Sequence, residues 1–570
     1  MKFAKPISQK NIEDLLSSDE KLKIPPYQRR YSWEKEHFED LWTDIEKLES
    51  GENHFFGTIV FRANTHVAQE TNEIDIVDGQ QRITSVSILL CAVRDHLKER
   101  YQENKIEQRL ENLEKSLWLV DRDGEKEGLR LVLGNLDKGS YRNLIKSNRD
   151  EIENPKIKKA YNYFRKQLEK FEDLEEIKSF HDKVLDQLIY VSITAKDHTD
   201  AYHLFESMNN RGLSLSPIDL MKNYLLMTAA KTPGIEEKRV EELWGDIIKN
   251  IDDITGVNKS AITFFRQYVM SSRKYGVNEK ITKKRLYEPT FEKIIDDSGN
   301  LEDLLKDLKK QSKLFKKMLT QNIDEFSESE NSELNRLLRD AETVSITPFT
   351  LFLRSFRELS SVKDIKEVIR VCNSLMVRRQ VCDRSTAPHD TMFNHLARNA
   401  FEKEDPVQYI KDYLGSEDRF PGDEPFQRYF QRESFSRNDR TKYILGKIEE
   451  NHFGNGGKEV VESRYQVHIE HILPETYGKN LARLWLKPNN ITKDQHDEFK
   501  KRIGNLTLLE ESPNIRASNR DLSKKQEYYT EDKTDFLMTQ ELTTYQNWSI
   551  DEIRERSKIL ADIATKVWKL

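Results

Sequence analysis

The sequence predicts an α+β protein in which helices predominate. Three observations carry this. Strand-like segments at 55–61, 73–77 and 187–194 alternate with helical spacing through the N-terminal part of the chain. The stretch from 226 to 440 keeps helical periodicity almost throughout. Near the C-terminus Asn505-Leu-Thr-Leu-Leu509 reads as a further short strand. With 570 residues the chain exceeds one ordinary core. The expected division is an α/β N-terminal domain over 1–225, a helical middle over 226–440 and a C-terminal ββα domain over 441–570.

The elements follow in order. Phe55-Phe-Gly-Thr-Ile-Val-Phe61 is apolar and β-branched. Glu73-Ile-Asp-Ile-Val77 alternates polar and apolar residues, as a half-buried strand does. Asp78-Gly79 turns the chain into a helix over Arg82 to Arg100 with one apolar face. From about 100 to 190 the spacing is helical and strongly charged, and Gln187 to Thr194 returns as a strand. A helix from about Asp200 runs into Phe205-Glu-Ser-Met-Asn-Asn-Arg-Gly212, where Gly212 is a natural stop. Ser216-Pro217 opens the next helix. Leu301, Leu304, Leu305 and Leu308 form an apolar stripe. Lys306, Lys309, Lys310, Lys313, Lys316 and Lys317 lie along the same helix and read as its solvated face. His452-Phe-Gly-Asn-Gly-Gly-Lys458 marks the edge of the last domain.

Composition narrows the function classes. Lys plus Arg number 93 against 99 Asp plus Glu, a net charge of −6, so any nucleic-acid surface must be a local patch. Three cysteines, Cys91, Cys372 and Cys382, without a Cys-x-x-Cys pair argue against a disulfide framework or a structural zinc, and a reducing cytoplasm is the expected home. No apolar stretch is long enough to span a bilayer.

The chemistry-bearing residues cluster at both ends. Val467-His-Ile-Glu-His-Ile-Leu-Pro474 is followed, across 34 residues from histidine to asparagine, by Gly504-Asn-Leu-Thr-Leu-Leu-Glu-Glu-Ser-Pro-Asn514. A histidine titrates near neutrality and can take a proton from water. Glutamate and asparagine oxygens suit Mg²⁺ or Mn²⁺, which would neutralise charge on a phosphodiester. The pair of segments resembles an HNH (ββα-metal) nuclease. The resemblance makes His471 the general base, Glu470 and Asn514 metal ligands, and Asn505 the residue that holds the catalytic loop through backbone hydrogen bonds. Lys524 and Lys525 are candidate DNA phosphate contacts, His468 reads as a packed strand residue, and Tyr477 to Arg502 is an insertion.

At the other end, Asp78-Gly-Gln-Gln-Arg82 sits where a strand turns into a helix. Free backbone N–H groups there favour phosphate, and Arg82 offers a forked cation. The same Asp-Gly is also an ordinary strand-to-helix turn. Upstream, Pro25-Pro-Tyr-Gln-Arg-Arg-Tyr-Ser-Trp33 adds Gln28 and Arg29, and the Tyr-Gln-Arg stretch reads equally as a docking segment with Trp33 in the core. Taken with Phe205–Gly212, Asp219-Leu-Met-Lys-Asn223 and, loosely, Val377-Arg-Arg-Gln-Val-Cys382, these stretches resemble the GmrSD family of type IV, modification-dependent restriction enzymes.

That resemblance implies a ParB/sulfiredoxin-like N-terminal domain that binds and hydrolyses a nucleotide (GTP, UTP, CTP or ATP) through Asp78, Gly79, Gln80, Gln81 and Arg82, with Gln28 and Arg29 close by. Asn209, Arg211 and Asp219 line or brace the same cleft. It also implies a C-terminal HNH domain cutting double-stranded, modified phage DNA in antiviral defence. One HNH site cuts one strand, so duplex cleavage needs two events, which a homodimer would supply. Two other readings remain: a nucleotide-gated DNA-binding switch with a weak or inactive HNH domain, and a relaxed nuclease of abortive infection.

Overall fold

The computed structural model describes residues 7–25, 28, 30–49, 51–63, 73–120, 125–134, 137–195, 200, 217–252, 261–272, 286–453 and 467–570. The chain divides into two compact units, Met1–Arg266 with Thr282–Lys313, and Gln267–Ile281 with Leu314–Leu570. The helical stretch after 225 is thus shared between them.

The first unit is built on a mixed six-stranded sheet. Its strands are β1 (Ser8–Asn11), β2 (Lys21–Lys23), β3 (His54–Ala63), β4 (Glu73–Asp78), β7 (Leu131–Val132) and β8 (Leu188–Ala195), in the order β1-β8-β3-β4-β2-β7. A separate hairpin pairs β5 (Trp118–Val120) with β6 (Lys126–Leu129). The three long strands are those expected from the segments at 55–61, 73–77 and 187–194. The hairpin and β7 correct the helical expectation for 100–190, and β1 and β2 add two short strands nearer the N-terminus. Lys-Leu-Lys, for example, carries a single apolar residue, Leu22, which is fully buried, so it has no readable period.

Central to this unit is the helix Gln80–Arg100. It starts two residues before the expected Arg82, and it is buried on all sides rather than along one face. Its polar residues therefore need partners. Arg94 Nε donates to Asp95 at 2.8 Å, and Tyr161 donates to the same carboxylate at 2.7 Å. The helix expected from about Asp200, with Phe205–Gly212, lies outside the described residues. The next one begins at Pro217, as its Pro at the first turn suggested.

In the helix Leu301–Leu319 the four leucines of the stripe are buried. Lysines on its other face make ion pairs: Lys306 with Glu302 and Lys309 with Asp246.

Among the described residues the second unit is helical apart from a two-stranded antiparallel ribbon, β9 (Val467–His471) with β10 (Leu506–Glu510), followed directly by the helix Glu511–Ala517. The register pairs Leu506 with His471 and Thr507 with Glu470. Two cores flank the ribbon. One gathers Val467, Ile469, Leu506 and Leu508 with Phe430, Ile444 and Leu560. The other gathers Ile472, Leu473 and Leu509 with Trp485, Phe499, Tyr529 and Trp548. The inserted stretch supplies Trp485 and Phe499, so it is folded into the second core and leaves the strand pairing in register. Arg378, from the Val377–Cys382 stretch, donates to the carbonyls of Trp568, Pro421 and Thr565, a structural role. No described helix is long and apolar enough to cross a membrane.

Candidate active site

The C-terminal site is assembled at the end of the ribbon. Period-2 alternation sends Glu470 and His471 to opposite sides, yet both are buried, at 4% and 2% exposure. The loop after His471 is pinned by Asn505, which is fully buried in the turn just ahead of β10 rather than within the strand. Its Oδ1 accepts from Leu473 N–H at 2.7 Å and from Trp548 Nε1 at 3.1 Å. Its Nδ2 donates to the carbonyls of Leu473 and Lys500, both at 2.9 Å. All four hydrogen-bonding capacities of the amide are thereby met. Gly504, one residue earlier, lies so close to the helix Ile550–Val567 that a Cβ there would fall 2.2 Å from the Ile553 carbonyl oxygen.

His471 is held neutral. Burial, followed by the cations Arg437, Lys525, Lys501 and Lys500, pushes its pKa down to about 3. Arg437 donates to Nδ1 from Nη2 at 3.0 Å and from Nε at 3.2 Å. A guanidinium only donates, so Nδ1 must be the lone-pair nitrogen and Nε2 carries the proton. Nε2 is buried, makes no hydrogen bond, and lies 3.9 Å from Glu475 Oε2.

Glu470 is engaged on one oxygen. Its Oε1 accepts from Lys525 Nζ at 2.6 Å and from Tyr529 OH at 3.0 Å. Lys525 is 1% exposed and also donates to the His471 carbonyl at 2.6 Å. The two lysines singled out as phosphate contacts therefore part company. Lys524 is exposed and pairs with Glu527, whereas Lys525 faces inward and braces Glu470. Asn514 stands in the helix after β10, and its Oδ1 is buried without a hydrogen-bond partner.

Does this donor set suit a divalent cation? Among the described residues no group of three or more His, Cys, Asp or Glu side chains could hold a metal. A site made only of carboxylates and imidazoles is therefore not built here. A Mg²⁺-type site needs less, one or two protein oxygens with water completing the shell. Asn514 Oδ1, buried without a partner, and the carboxylate of Glu470 are oxygen donors of that kind, and Lys525 balances the Glu470 charge in the free protein.

Arg437, Glu475 and Tyr529 were not singled out from the sequence. Arg437 and His471 are 34 residues apart, and only the helix-start signal Ser-Arg-Asn-Asp at 436–439 marks the former as being fixed in place. Asn438 caps the helix Asp439–Ile448 by accepting from Thr441 N–H.

The N-terminal motif has a different character. Asp78 ends β4, Gly79 adopts φ +93°, and the helix begins at Gln80. Arg82 donates to the carbonyls of Phe56 at 2.8 Å and Thr58 at 2.7 Å, and sits 3.5 Å from Asp78. It reaches them through Gly57, at φ +101°, where a Cβ would lie 1.7 Å from Arg82 Nη1. Gln81 binds the Ser32 N–H at 2.8 Å and the Arg30 carbonyl at 3.1 Å. Gln28 donates to the Val77 carbonyl at 3.0 Å and accepts from Lys222 at 2.7 Å. Gln80 alone of these keeps a buried Oε1 without a partner, and it lines a small cleft with Gln28, Arg30, Tyr31 and Asp137. Arg29, Asn209 and Arg211 lie outside the described residues.

Two family models match the chain. That of the GmrSD restriction endonuclease N-terminal domain covers residues 12–226, which include five of the six strands of the sheet and the Asp78–Arg82 turn. That of the GmrSD restriction endonuclease C-terminal domain covers residues 420–563, which include the ribbon, Arg437 and Asn514. No curated protein matches the chain. Both ends are thus those of a restriction endonuclease, an enzyme whose substrate is DNA. The chain belongs to the GmrSD family of type IV restriction endonucleases, which act on modified DNA.

Proposed function

We propose that the chain is a metal-dependent, nucleotide-regulated DNA endonuclease of the HNH type that restricts modified or foreign DNA, phage DNA above all. The observation that carries this reading is the neutral, buried His471 beside Glu470, on a strand–strand–helix unit whose loop is braced by Asn505 and whose helix offers the unpartnered Asn514. His471 would take the proton of the attacking water, a role for which an imidazole must be neutral. Glu470 and Asn514 would hold Mg²⁺ or Mn²⁺, and that cation would neutralise charge on the phosphate and leaving oxygen.

In this reading residues 1–225 form the nucleotide domain, with a ParB-like fold and NTPase activity, 226–440 the helical middle and 441–570 the nuclease. The nucleotide (GTP, UTP, CTP or ATP) would meet the backbone N–H groups at the start of the Gln80–Arg100 helix and Gln80 itself. Arg82, Gln81 and Gln28 would hold that turn in shape through the hydrogen bonds they already make. Two copies of the chain would cut the two strands of a duplex.

A second reading is a nucleotide-gated DNA-binding switch with a weak or inactive nuclease. It is favoured by two contacts, Lys525 on Glu470 and Arg437 on the lone pair of His471. A panel of plain, hydroxymethylated, glucosylated and phosphorothioate DNA, incubated with Mg²⁺ or Mn²⁺ with and without each nucleotide, separates the readings. Cutting of one modified DNA that changes with nucleotide supports the first. Cutting of every DNA indicates a relaxed nuclease of abortive infection. Binding without cutting indicates the switch.

A further inference from the structure

Among the described residues, Arg437 is the exposed cation that hydrogen-bonds the base. Its side chain is 56% exposed, yet both Nε and Nη2 point at His471 Nδ1. It is also 3.5 Å from Glu475 Oε2, and Lys501 Nζ is 3.5 Å from the other oxygen, Oε1, of the same carboxylate. The backbone beneath is fixed. Phe435 N–H donates to the Lys501 carbonyl at 2.9 Å, Phe435 is buried against Phe430, and Asn438 caps the following helix. Two cations are therefore held at the mouth of the site by rigid backbone, with one carboxylate between them.

This arrangement has a chemical consequence. With its proton on Nε2, His471 has a single lone pair, at Nδ1, and Arg437 occupies it. The free protein therefore cannot use His471 as a base until that guanidinium leaves. A guanidinium is drawn off most readily by an anion that matches its fork, and a phosphodiester does so better than a half-exposed carboxylate or a neutral imidazole.

We propose that Arg437 is a substrate-binding residue that moves from His471 to a DNA backbone phosphate, with Glu475 as the internal anion that this phosphate displaces from Arg437 and Lys501. One movement then does two things: it clamps the phosphate, and it exposes the Nδ1 lone pair to water. A DNA that does not seat a phosphate here leaves the base covered. The proposal rests on the reading of His471 as the general base.

The test uses the full chain and a duplex DNA that the wild type binds, in EDTA so that nothing is cut. Affinity is measured against salt concentration for wild type, Arg437→Gln, Arg437→Lys and Glu475→Gln. Losing one phosphate contact shrinks the slope of log K against log salt by about 0.9, and that is the expected result for Arg437→Gln. Arg437→Lys should restore most of the slope. Glu475→Gln should bind about two- to fivefold more tightly, since an exposed competing ion pair is lost. With metal present, Arg437→Gln should cut at least about 10²-fold more slowly, as expected when a donor to the reacting group is removed.

Equal slopes for wild type and Arg437→Gln would overturn the proposal while leaving the nuclease reading intact. Faster cutting by Arg437→Gln would also overturn it, because Arg437 would then only cover the base. If a free nucleoside triphosphate abolished the slope difference by competition, the anion would be the nucleotide and the DNA assignment would fall. A wild type with no salt-dependent DNA binding would overturn both this proposal and the reading beneath it.

Discussion

The two ends of the molecule both carry a short polar motif beside a strand and the start of a helix, yet they use it in opposite ways. In the N-terminal turn, Arg82, Gln81 and Gln28 are bonded to the backbone of their own unit, and one side-chain acceptor, Gln80 Oε1, is left over. In the C-terminal ribbon the bracing falls to Asn505, Lys525 and Tyr529, while His471 Nε2 and Asn514 Oδ1 stay buried without partners. Buried polar atoms without partners are costly, so a fold that keeps them has a use for them. The comparison teaches that a motif's residue types do not say which of its side chains face a ligand. The hydrogen-bond inventory does.

The largest effect expected from breaking this contrast comes from Lys525→Met. Removing the cation leaves Glu470 as a buried, unpaired carboxylate, and thermal or denaturant unfolding should show a loss of roughly 3–5 kcal/mol in the C-terminal unit. A Glu470→Gln/Lys525→Met double variant should recover most of it. If the single variant unfolds like wild type, the pair is not the brace described.

Acid should weaken both units through buried neutral histidines. Burial and then Arg109 push the His181 pKa down to about 4, and burial and then Arg379 do the same for His389. An unfolded histidine titrates near 6.5, so between these values the unfolded chain binds more protons. Stability is therefore intact above about pH 6.5 and lost as the pH falls towards 4, by roughly 3 kcal/mol for His181. Melting temperature against pH checks this, and His181→Met should flatten the part of the curve that belongs to the N-terminal unit. A curve unchanged by that substitution would contradict the assignment.

Asn505→Ala should cost about 2–3 kcal/mol, since the Leu473 N–H and the Trp548 indole lose their acceptor in a dry site. It should also slow cleavage by loosening the loop that follows His471. Asn505→Asp sets a buried carboxylate oxygen against the Leu473 and Lys500 carbonyls in place of the two N–H donors, so its fall in stability should be at least as large. The smallest effect belongs to Arg82→Lys. It keeps a cation but breaks the fork across Phe56 and Thr58, and should lower stability by about 1–2 kcal/mol. If it lowers nucleotide affinity instead, with no change in stability, Arg82 faces the ligand and the contrast between the two ends is wrong at that residue.

Much of this was legible in the sequence, for physical reasons. Strands of five or more apolar, β-branched or alternating residues announce themselves, as β3, β4 and β8 did, and Asn505 and Asn514 stood out by spacing. Two-residue strands such as β7 carry no period. The pairing of Lys525 with Glu470 across 55 residues, and of Arg437 with His471 across 34, is set by tertiary packing that no local pattern encodes. For the same reason Lys525, taken with Lys524 as a surface cation, proved to be buried.

The most direct test of the central claim compares wild type with His471→Ala on a modified duplex DNA, under single-turnover conditions with Mg²⁺ or Mn²⁺, and with melting curves showing both proteins folded. A general base accounts for about 10²–10⁴ in rate, so the variant should cut that much more slowly while still binding the DNA. Equal rates in wild type and variant would contradict the account and remove His471, and the site built around it, from the chemistry.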